Sequence, residues 1–366
     1  MSKIKVMLVD DAVIIRKLLS DTLSSDSEIE VVGAAANGKL ALAKLPTLNP
    51  DCVILDVEMP EMDGLETLRE LRKTHPSLPV IMFSTLTERG ASVTLDALAL
   101  GASDYVTKPS NVGSVNLAMQ RVREELIPRI KGFCKKGLAP APVSRPVSAP
   151  EPAPPASVNP LPKQLPNQLV EMVAIGISTG GPNALAEVMP MLPASFPVPI
   201  VIVQHMPPVF TKLFTERLAG KCALKVVEAA NGDQLEAGKV YFAPGDYHVT
   251  LQRVGGVTKI LTNQDPPENF CRPAVDVLFR SVAELYGQKA LALVMTGMGQ
   301  DGLIGCRAIR EKGGQVFVQD EASSVANGMP GSVAQAGLAD KLVPLGEIPG
   351  ELIRRVSVGR ASFAVR

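Results

Sequence analysis

A serine between glycines marks one candidate reaction centre in the second half of the chain. Gly176-Ile177-Ser178-Thr179-Gly180 matches the pattern G-x-S-x-G, in which a sharp strand-to-helix turn exposes a serine hydroxyl. Near pH 7 such a hydroxyl is a poor nucleophile unless a neighbouring base takes its proton. The same pattern is also typical of a plain turn or a helix cap. A catalytic interpretation therefore requires a base and an acid that orients it.

The chain offers three histidines as the base. His75 lies in the turn between Lys73 and Pro76, in the first half of the chain, and His248 begins a short predicted strand. His205 directly follows the apolar run PIVIVQ, so it is the one histidine at the end of a predicted strand in the second half. A buried, hydrogen-bonded structural histidine is the alternative interpretation of His205.

An aspartate should orient the imidazole of such a base. Asp301 closes the stretch MTGMGQDG, just after the predicted strand ALALVMT, and the glycines around it allow a sharp turn. Asp265, Asp276 and Asp320 are competing candidates. Asp276 lies in a predicted helix and Asp320 follows another strand, but spacing alone excludes neither. The chain order of serine, histidine and aspartate differs from the order in the α/β-hydrolases.

A second set of reactive side chains lies in the first half, where each residue follows a predicted strand. Asp10 and Asp11 follow the first strand, Asp56 the third, Ser84 the fourth and Lys108 the fifth. Carboxylates at adjacent strand ends repel one another unless a cation lies among them, and oxygen ligands suit Mg²⁺. A lysine and a hydroxyl beside the ion could hold phosphoryl oxygens, and the central Asp56 could accept a phosphoryl group. Solvated charges at loop ends are the alternative.

The predicted elements that position this second set alternate regularly. Five apolar runs, each followed by a helical pattern, read KVMLVD, VVGAAA, DCVILDV, PVIMFST and SDYVTKP. The runs are apolar throughout, as in strands covered by helices on both faces. They predict a doubly wound, five-stranded parallel sheet. Ligands of such sheets bind at the carboxyl ends of the strands.

The β/α alternation returns from about Leu169. VAIGIS, PIVIVQ, ALALVMTG and QVFVQD are predicted buried strands, with helices between them. KVYFAP and HVTLQR are predicted as shorter strands that form an antiparallel addition. The second half is therefore predicted to be a mainly parallel α/β domain.

A proline-rich segment separates the two halves. Ten of the 32 residues from 136 to 167 are proline, and such a segment buries too little apolar surface to fold. It is predicted to be a semi-rigid linker, with a recognition site for a proline-binding partner as the alternative. The predicted domain boundaries are 1–132, 133–168 and 169–366.

Composition limits the partners and the compartment. The 366 residues include 37 basic and 37 acidic side chains, so no charge excess favours nucleic acid or an anionic membrane surface. Five scattered cysteines without a C-x-x-C pair argue against a disulfide framework or a zinc site and fit a reducing cytoplasm. Neither a signal peptide nor an uncharged run of ~18 residues is present, so a cytoplasmic protein without membrane insertion is expected.

The first half resembles the receiver domains of bacterial response regulators over about residues 3–130, which implies a flavodoxin-like fold. The stretches LVDDA, LDVEMPEMDG, FSTLT and TKP carry this resemblance. It implies that Asp56 is the phosphoacceptor and that Ser84 and Lys108 sense the phosphate. It also implies a Mg²⁺ site formed by Asp11, Asp56, the backbone carbonyl of Glu58 and, through water, Asp10.

The second half closely resembles the bacterial chemotaxis protein-glutamate methylesterases over about residues 170–350. IGISTGGP, VQHMPPVFT and VMTGMGQDG carry this resemblance, and the order of receiver, linker and hydrolase also matches that family. It implies that Ser178 is the nucleophile, His205 the general base and Asp301 its orienting acid. The backbone N–H of Met298 would be an oxyanion donor, with Thr179 beside the nucleophile.

The resemblance also implies substrates and partners. The expected substrates are γ-glutamyl methyl esters on the cytoplasmic helices of methyl-accepting chemoreceptors, with deamidation of receptor glutamines as a second activity. A chemotaxis histidine kinase would donate the phosphoryl group, with Mg²⁺, and the ester chemistry would need no cofactor. The alternative is a receiver-controlled binding or output module without hydrolysis.

Overall fold

The computed structural model describes residues 3–108, 115–135 and 168–360. The chain forms two α/β units, one on each side of the proline-rich segment. Residues 136–167, which the sequence predicts to be a linker, lie outside the described residues.

The first unit contains all five predicted strand–helix pairs. In chain order its elements are β1 (Ile4–Val9), α1 (Val13–Ser24), β2 (Ile29–Ala35), α2 (Gly38–Leu48), β3 (Cys52–Asp56), α3 (Gly64–Thr74), β4 (Val80–Ser84), α4 (Glu88–Ala99), β5 (Asp104–Thr107) and α5 (Val115–Lys135). The strands are parallel, in the order β2-β1-β3-β4-β5. This is the flavodoxin-like order, so the predicted fold is confirmed.

The strand register brings the predicted reactive residues of the first unit to one edge. All five positions of β3 and of β4 are buried, which explains why their sequences are apolar throughout. Asp56 closes β3 opposite Phe83 of β4, and Ser84 pairs with Thr107 of β5. Because β1, β3, β4 and β5 are neighbours, the residues after them share the carboxyl edge of the sheet.

The second unit is a larger α/β unit. In chain order its elements are β6 (Met172–Ile177), α6 (Gly181–Val188), β7 (Ile200–Gln204), α7 (Pro208–Ala219), β8 (Lys225–Glu228), β9 (Lys239–Phe242), β10 (His248–Val254), β11 (Val257–Asn263), α8 (Val275–Tyr286), β12 (Ala290–Val294), α9 (Leu303–Glu311), β13 (Gln315–Gln319), α10 (Met329–Gln335), β14 (Lys341–Val343) and α11 (Ile348–Ser357). Seven of its strands form a parallel sheet in the order β14-β13-β12-β6-β7-β9-β8. The mainly parallel prediction is therefore confirmed.

The antiparallel addition differs from its prediction in one strand. HVTLQR forms β10, which pairs antiparallel with β11, a strand that the sequence analysis did not identify. The assignment of KVYFAP to this addition is wrong, because β9 lies inside the main sheet, parallel to β7 and β8. Val240, Tyr241 and Phe242 of β9 are all buried. Burial on both faces is typical of an interior parallel strand.

The strand order of the second unit creates a crevice at the centre of its sheet. From β6 the chain moves to β7 on one side and later reaches β12 on the other side. In doubly wound sheets, ligands bind at such a reversal, beside the carboxyl ends of the strands. The loops after β6, β7 and β12 are the ones that carry Ser178, His205 and Asp301.

The two units are in contact through aromatic and apolar side chains. The ring of Tyr105, on β5, stacks on Phe210, on α7, with 4.5 Å between the ring centroids and 4° between the ring planes. One continuous cluster contains buried apolar side chains of both units, among them Tyr105 and Phe210. A cavity of about 300 Å³ remains between α4 and the helices α6 and α7, lined in part by Leu98 and Phe214. The contact is thus apolar but incompletely packed.

Polar contacts accompany this apolar interface. Arg217 of α7 donates to the Asp96 carboxylate at 2.6 Å and to the hydroxyl of Ser92 at 2.9 Å, both on α4. The Asn183 side chain of α6 donates to the backbone carbonyl of Ala102 at 3.0 Å. The polar contacts of the first unit with the second are therefore made by α4 and by the residues just before β5.

Across the described ranges, none of the helices carries a stretch long and apolar enough to cross a membrane.

Candidate active site and phosphorylation site

The turn after β6 presents Ser178 at the head of α6. The Ser178 N–H donates to the Thr296 carbonyl at 3.0 Å, and the Gly181 N–H donates back to the Ser178 carbonyl at 2.8 Å. Gly180 has φ of +75°, a conformation that side chains rarely tolerate. A Cβ atom on Gly181 would lie 2.0 Å from Gln204 Oε1. The glycines of the motif thus permit a tight strand-to-helix turn.

His205 lies beside this turn on the neighbouring strand. In the parallel register, Ile177 of β6 pairs with Gln204 of β7, so Ser178 and His205 are the next residues on adjacent strands. The His205 N–H donates to the Ile177 carbonyl at 3.2 Å. The Gln204 side chain donates to the Ser178 carbonyl at 3.0 Å. These contacts hold the two loops together at the carboxyl edge of the sheet.

Asp301 is the aspartate that contacts the imidazole. His205 Nε2 lies 2.8 Å from Asp301 Oδ2, and the Asp301 side chain is 2% exposed. The competing Asp276 instead accepts from the Gly305 N–H at 2.6 Å, and Asp320 accepts from the Ser323 N–H at 3.1 Å. Of the four candidate aspartates, the structure places Asp301 against the imidazole, a choice that spacing alone did not make.

The Asp301 carboxylate has four hydrogen-bond donors besides the imidazole. These donors are Val275 N at 2.6 Å, Asp276 N at 3.0 Å, Asn269 Nδ2 at 3.0 Å and Gly302 N at 3.0 Å. Burial by itself would raise the pKa of Asp301, but the hydrogen bond and charge of His205, together with the backbone N–H groups, lower it. The carboxylate stays ionised near neutral pH and can stabilise a protonated imidazole.

The contact with Asp301 fixes which ring nitrogen of His205 is available as a base. Nε2 carries the proton that it donates to the carboxylate, so Nδ1 is the nitrogen that accepts a further proton. Burial favours the neutral ring, but the hydrogen bonds to Asp301 and Cys271 and the charges of both partners outweigh burial and raise the pKa of His205. Nδ1 therefore acts as a base only while the ring is neutral. In the described part of the chain, no hydrogen bond joins the Ser178 hydroxyl to this ring.

Two donors predicted to support the reaction lie next to Ser178. Within the described ranges, the Met298 backbone N–H has no hydrogen-bond partner. A Cβ atom on Gly297 would lie 2.9 Å from the Ser178 Cβ, so the glycine lets this turn approach the nucleophile. The Thr179 hydroxyl is buried and, in the same ranges, also lacks a partner. Buried unpaired polar groups are rare and costly, so the Thr179 hydroxyl is available for a ligand, and the partly exposed Met298 also leaves its N–H free for one.

The sequence analysis did not identify the loop of Asn269 and Cys271, which contacts Asp301 and the His205 imidazole. Asn269 donates to both Asp276 and Asp301 at 3.0 Å, and the Cys271 sulfur lies 3.5 Å from His205 Nδ1. This loop has no motif that distinguishes it in the sequence. The only local signal is the asparagine, a residue that tolerates positive φ, and Asn269 has φ of 52°.

His248, one of the other histidine candidates, has a structural role. Its Nδ1 accepts from the Ala274 N–H at 3.2 Å, and its Nε2 lies 3.2 Å from the Pro266 carbonyl. The ring is 1% exposed. His248 thus fixes both ends of the loop that contains Asn269 and Cys271.

The first unit brings its predicted acidic residues together. Side-chain oxygens of Asp10, Asp11 and Asp56 lie within 4.8 Å of one another. Lys108 Nζ lies 2.8 Å from Asp10 Oδ2 and 2.7 Å from Asp56 Oδ2. The Ser84 hydroxyl is buried and donates to the Thr85 carbonyl at 3.3 Å. Three carboxylates, a lysine and a hydroxyl therefore share one strand edge.

The electrostatics of this cluster suit a hard cation. Burial and the Asp10 charge raise the pKa of Asp56, against the opposing hydrogen bond of Lys108, to about 6. Repulsion among carboxylates is relieved by a cation, and oxygen donors are the ligands that Mg²⁺ prefers. Glu58 N lies 3.4 Å from Asp56 Oδ1, which places the predicted backbone ligand next to the cluster. The residues present fit a Mg²⁺ ion.

Two family models match the chain, one in each unit. The model described as CheB methylesterase matches residues 173–352, and the one described as response regulator receiver domain matches residues 6–120. The protein-glutamate methylesterase/protein-glutamine glutaminase of Trichodesmium erythraeum is 54% identical over 97% of this chain and 100% of its own length. The protein of the same name from a Nocardioides species is 51% identical over 99% of this chain and 98% of its own length.

A solved structure resembles the second unit. The crystal structure of the Thermotoga maritima CheB methylesterase catalytic domain shares 43% sequence identity and covers 50% of this chain and 98% of that one, with a TM-score of 0.50.

The His205–Asp301 contact predicts a raised imidazole pKa that depends on one carboxylate. Titration by nuclear magnetic resonance should place the His205 pKa above 6.5, and Asp301→Asn should lower it, because burial alone favours the neutral ring. The chain has three histidines, so the resonance that is lost in His205→Gln is the one assigned to His205. Asp320→Asn is the control and should leave the His205 pKa unchanged. An Asp301→Asn protein with the wild-type pKa would contradict the assigned contact.

Proposed function

Because the chain belongs to the family of protein-glutamate methylesterases/protein-glutamine glutaminases and carries a receiver domain, we propose a phosphorylation-activated serine hydrolase of chemotactic adaptation. Its substrates are γ-glutamyl methyl esters and specific glutamines on the cytoplasmic helices of chemoreceptors. The observation that carries this proposal is the His205–Asp301 pair beside Ser178, at the strand reversal of the second unit. A cytoplasmic location follows from these substrates.

In the proposed reaction, the Ser178 hydroxyl attacks the carbonyl carbon of the substrate side chain. His205 Nδ1 takes the hydroxyl proton, and the Asp301 carboxylate stabilises the imidazolium that results. The Met298 N–H and the Thr179 hydroxyl donate to the oxyanion of the tetrahedral intermediate. Hydrogen bonds of a nucleophile are often long without substrate and shorten once it binds, so an unbonded Ser178 is compatible with this role.

The second half of the reaction regenerates the enzyme. The imidazolium gives its proton to the leaving group, which departs as methanol from an ester or as ammonia from an amide. Water, activated by His205, then hydrolyses the acyl-Ser178 intermediate and leaves a glutamate carboxylate. One intermediate thus serves both activities, because ester and amide carry the same acyl group. This chemistry needs no cofactor.

In the proposed receiver, Asp56 accepts a phosphoryl group from a chemotaxis histidine kinase. Asp11, Asp56, the Glu58 carbonyl and, through water, Asp10 would hold a Mg²⁺ ion that neutralises phosphoryl charge. With a pKa of about 6, Asp56 is mainly ionised at neutral pH, as a nucleophile must be. Lys108 and Ser84 would then bind the phosphoryl oxygens.

We propose that the receiver restricts access to the esterase site until it is phosphorylated. The proposed boundaries are residues 1–132 for the receiver, 133–168 for the linker and 169–366 for the esterase. Support comes from Asn183 of α6, the helix that directly follows the Ser178 turn, whose side chain donates to the Ala102 carbonyl just before β5 at 3.0 Å. The Arg217–Asp96 pair and the Tyr105–Phe210 stack lie on the same face. Phosphorylation would shift the population toward a released receiver.

The nucleophile assignment predicts a severe loss of activity in Ser178→Ala. Removal of one member of such a triad typically costs about 10⁴–10⁶-fold in kcat. Methanol release from methylated receptor membranes is the measurement. Ser332→Ala is the control, because that hydroxyl donates only to the Met329 carbonyl within α10.

Methanol release by Ser178→Ala within tenfold of the wild type would refute the assignment. A serine-directed covalent reagent tests the remaining alternative. If the second unit were a binding module without hydrolysis, the reagent would not label Ser178.

The phosphoacceptor assignment predicts that Asp56→Asn abolishes phosphorylation. A small phosphodonor with Mg²⁺ should add one acid-labile phosphoryl group to the wild type. Asp56→Asn removes the attacking oxygen at nearly constant volume. Glu61→Gln, which neutralises an exposed carboxylate paired with Lys39, should be phosphorylated normally. Phosphorylation of Asp56→Asn at the wild-type rate would move the nucleophile to Asp10 or Asp11.

The inhibition proposal predicts that a weakened interface raises basal activity. Arg217→Gln and Asp96→Asn should each raise ester hydrolysis by the unphosphorylated chain by up to about fivefold, since a partly exposed ion pair contributes up to ~1 kcal/mol. The double variant should add little more, because both changes break one contact. Lys289→Gln, which breaks an exposed pair with Glu171 inside the second unit, should have no effect.

A fragment of residues 169–366 gives the upper limit of this activation. It should be more active than the unphosphorylated whole chain and should not respond to phosphodonor. A fragment no faster than the unphosphorylated whole chain would mean that the receiver does not obstruct the site.

A further inference from the structure

A thiol faces the basic nitrogen of the proposed active site. The Cys271 sulfur lies 3.5 Å from His205 Nδ1, the nitrogen that Asp301 leaves available as a base. The sulfur, an imidazole nitrogen and a carboxylate oxygen of Asp301 lie within 4.8 Å of one another. Cys271 is partly exposed, so small molecules from solvent reach it. Cysteine, histidine and aspartate thus form a second nucleophile–base–acid arrangement on the same imidazole.

The loop geometry holds the thiol in this position. Asn269 and Phe270 have positive φ angles of 52° and 62°, and the Asn269 side chain donates a hydrogen bond to Asp301. His248 binds backbone groups at both ends of the loop. Through Asn269, the loop that carries Cys271 is therefore attached to the Asp301 carboxylate, which also orients His205. These contacts hold Cys271 against the imidazole.

The environments of the other cysteines differ from that of Cys271. Cys52 and Cys306 are completely buried. Cys222 is partly exposed, but burial raises its pKa to about 11, which disfavours the reactive thiolate. The Cys134 sulfur lies 3.6 Å from the Asp51 carbonyl. Among the cysteines that the structure describes, the contact with an imidazole is unique to Cys271.

We propose that Cys271 is an oxidation site through which a peroxide switches off the His205 base. The inference rests on the proposed function for its effect on catalysis, but the reactivity of the thiol itself depends only on the contact with His205. A reduced thiol is a weak hydrogen-bond donor, which a substrate-bound Ser178 can displace from Nδ1. An oxidised sulfur carries a hydroxyl, a stronger donor to the same nitrogen.

The oxidation is a two-electron step with hydrogen peroxide as the oxidant. His205 Nδ1 takes the thiol proton, and the sulfur attacks one peroxide oxygen. The S–O bond forms as the O–O bond breaks, and the departing hydroxide takes the proton from the imidazolium to become water. Sulfur is oxidised to sulfenic acid while the peroxide is reduced. Two equivalents of a small thiol reverse the change: the first forms a mixed disulfide and water, and the second releases Cys271 as its thiol.

The first experiment measures the effect on the full chain. Hydrogen peroxide should abolish ester hydrolysis by the wild type, and dithiothreitol should restore it. Each variant is compared with its own untreated sample. Cys271→Ala should need at least tenfold more peroxide for the same fractional loss, whereas Cys222→Ser should be as sensitive as the wild type. Equal sensitivity of Cys271→Ala and the wild type would overturn the proposal.

The second experiment tests the thiol without using esterase activity. Iodoacetamide labelling of the full chain, followed by peptide mass analysis, gives the alkylation rate of each cysteine. Cys271 should react faster than Cys222, and His205→Gln should slow Cys271 at least tenfold without changing the Cys222 rate. His248→Gln is excluded as a control because it would release the loop; Ser178→Ala is used instead and should label like the wild type. Unlabelled Cys52 and Cys306 verify that each variant is folded.

The two experiments separate failure of this inference from failure of the proposed function. If the wild type releases no methanol but labelling of Cys271 depends on His205, the hydrolase assignment fails and the reactive thiol stands. If Cys271 labels at the same rate in the wild type and in folded His205→Gln, the thiol is not activated by the imidazole, and the inference fails even in an active esterase.

Discussion

The Asp301 carboxylate accepts hydrogen bonds from an imidazole, an asparagine side chain and three backbone N–H groups, and these donors come from three separate loops. A buried carboxylate is stable only when its oxygens are satisfied, so the fold must bring these loops to one point. Two of the donors are the first amides of α8, whose helix dipole also favours a negative charge. Both the position of His205 and the approach of Cys271 follow from this arrangement.

The turn that carries Ser178 also depends, indirectly, on the loop that contains Asp301. Ser178 is held by a backbone contact with Thr296, and Gly297 next to it has no side chain that would collide with the serine. The loop after β12 therefore carries Asp301 at one end and shapes the turn of Ser178 at the other. A change in this loop would disturb both His205 and Ser178, although neither residue belongs to it.

The first unit satisfies its buried carboxylates differently. Lys108 neutralises part of the charge of Asp10 and Asp56, yet the pKa of Asp56 stays raised. Repulsion between the carboxylates therefore remains, and a cation or a phosphoryl group would change it. β5 links this cluster to the second unit. Lys108 follows its last residue, whereas Ala102, just before its first residue, accepts a hydrogen bond from Asn183 on the helix that follows Ser178. One four-residue strand thus lies between the acidic cluster and the second unit.

The sequence by itself determined most strands and helices and the residues at strand ends, because parallel strands buried on both faces have continuous apolar sequences and their carboxyl ends carry the ligands. It did not determine strand order, so β9 was assigned to the wrong sheet, and four aspartates competed for one histidine. Only the tertiary structure selected Asp301, which lies 96 residues from His205, and placed Cys271 on the imidazole. Such contacts depend on packing between segments distant in sequence, and local patterns of hydrophobicity and turn residues contain no information about that packing.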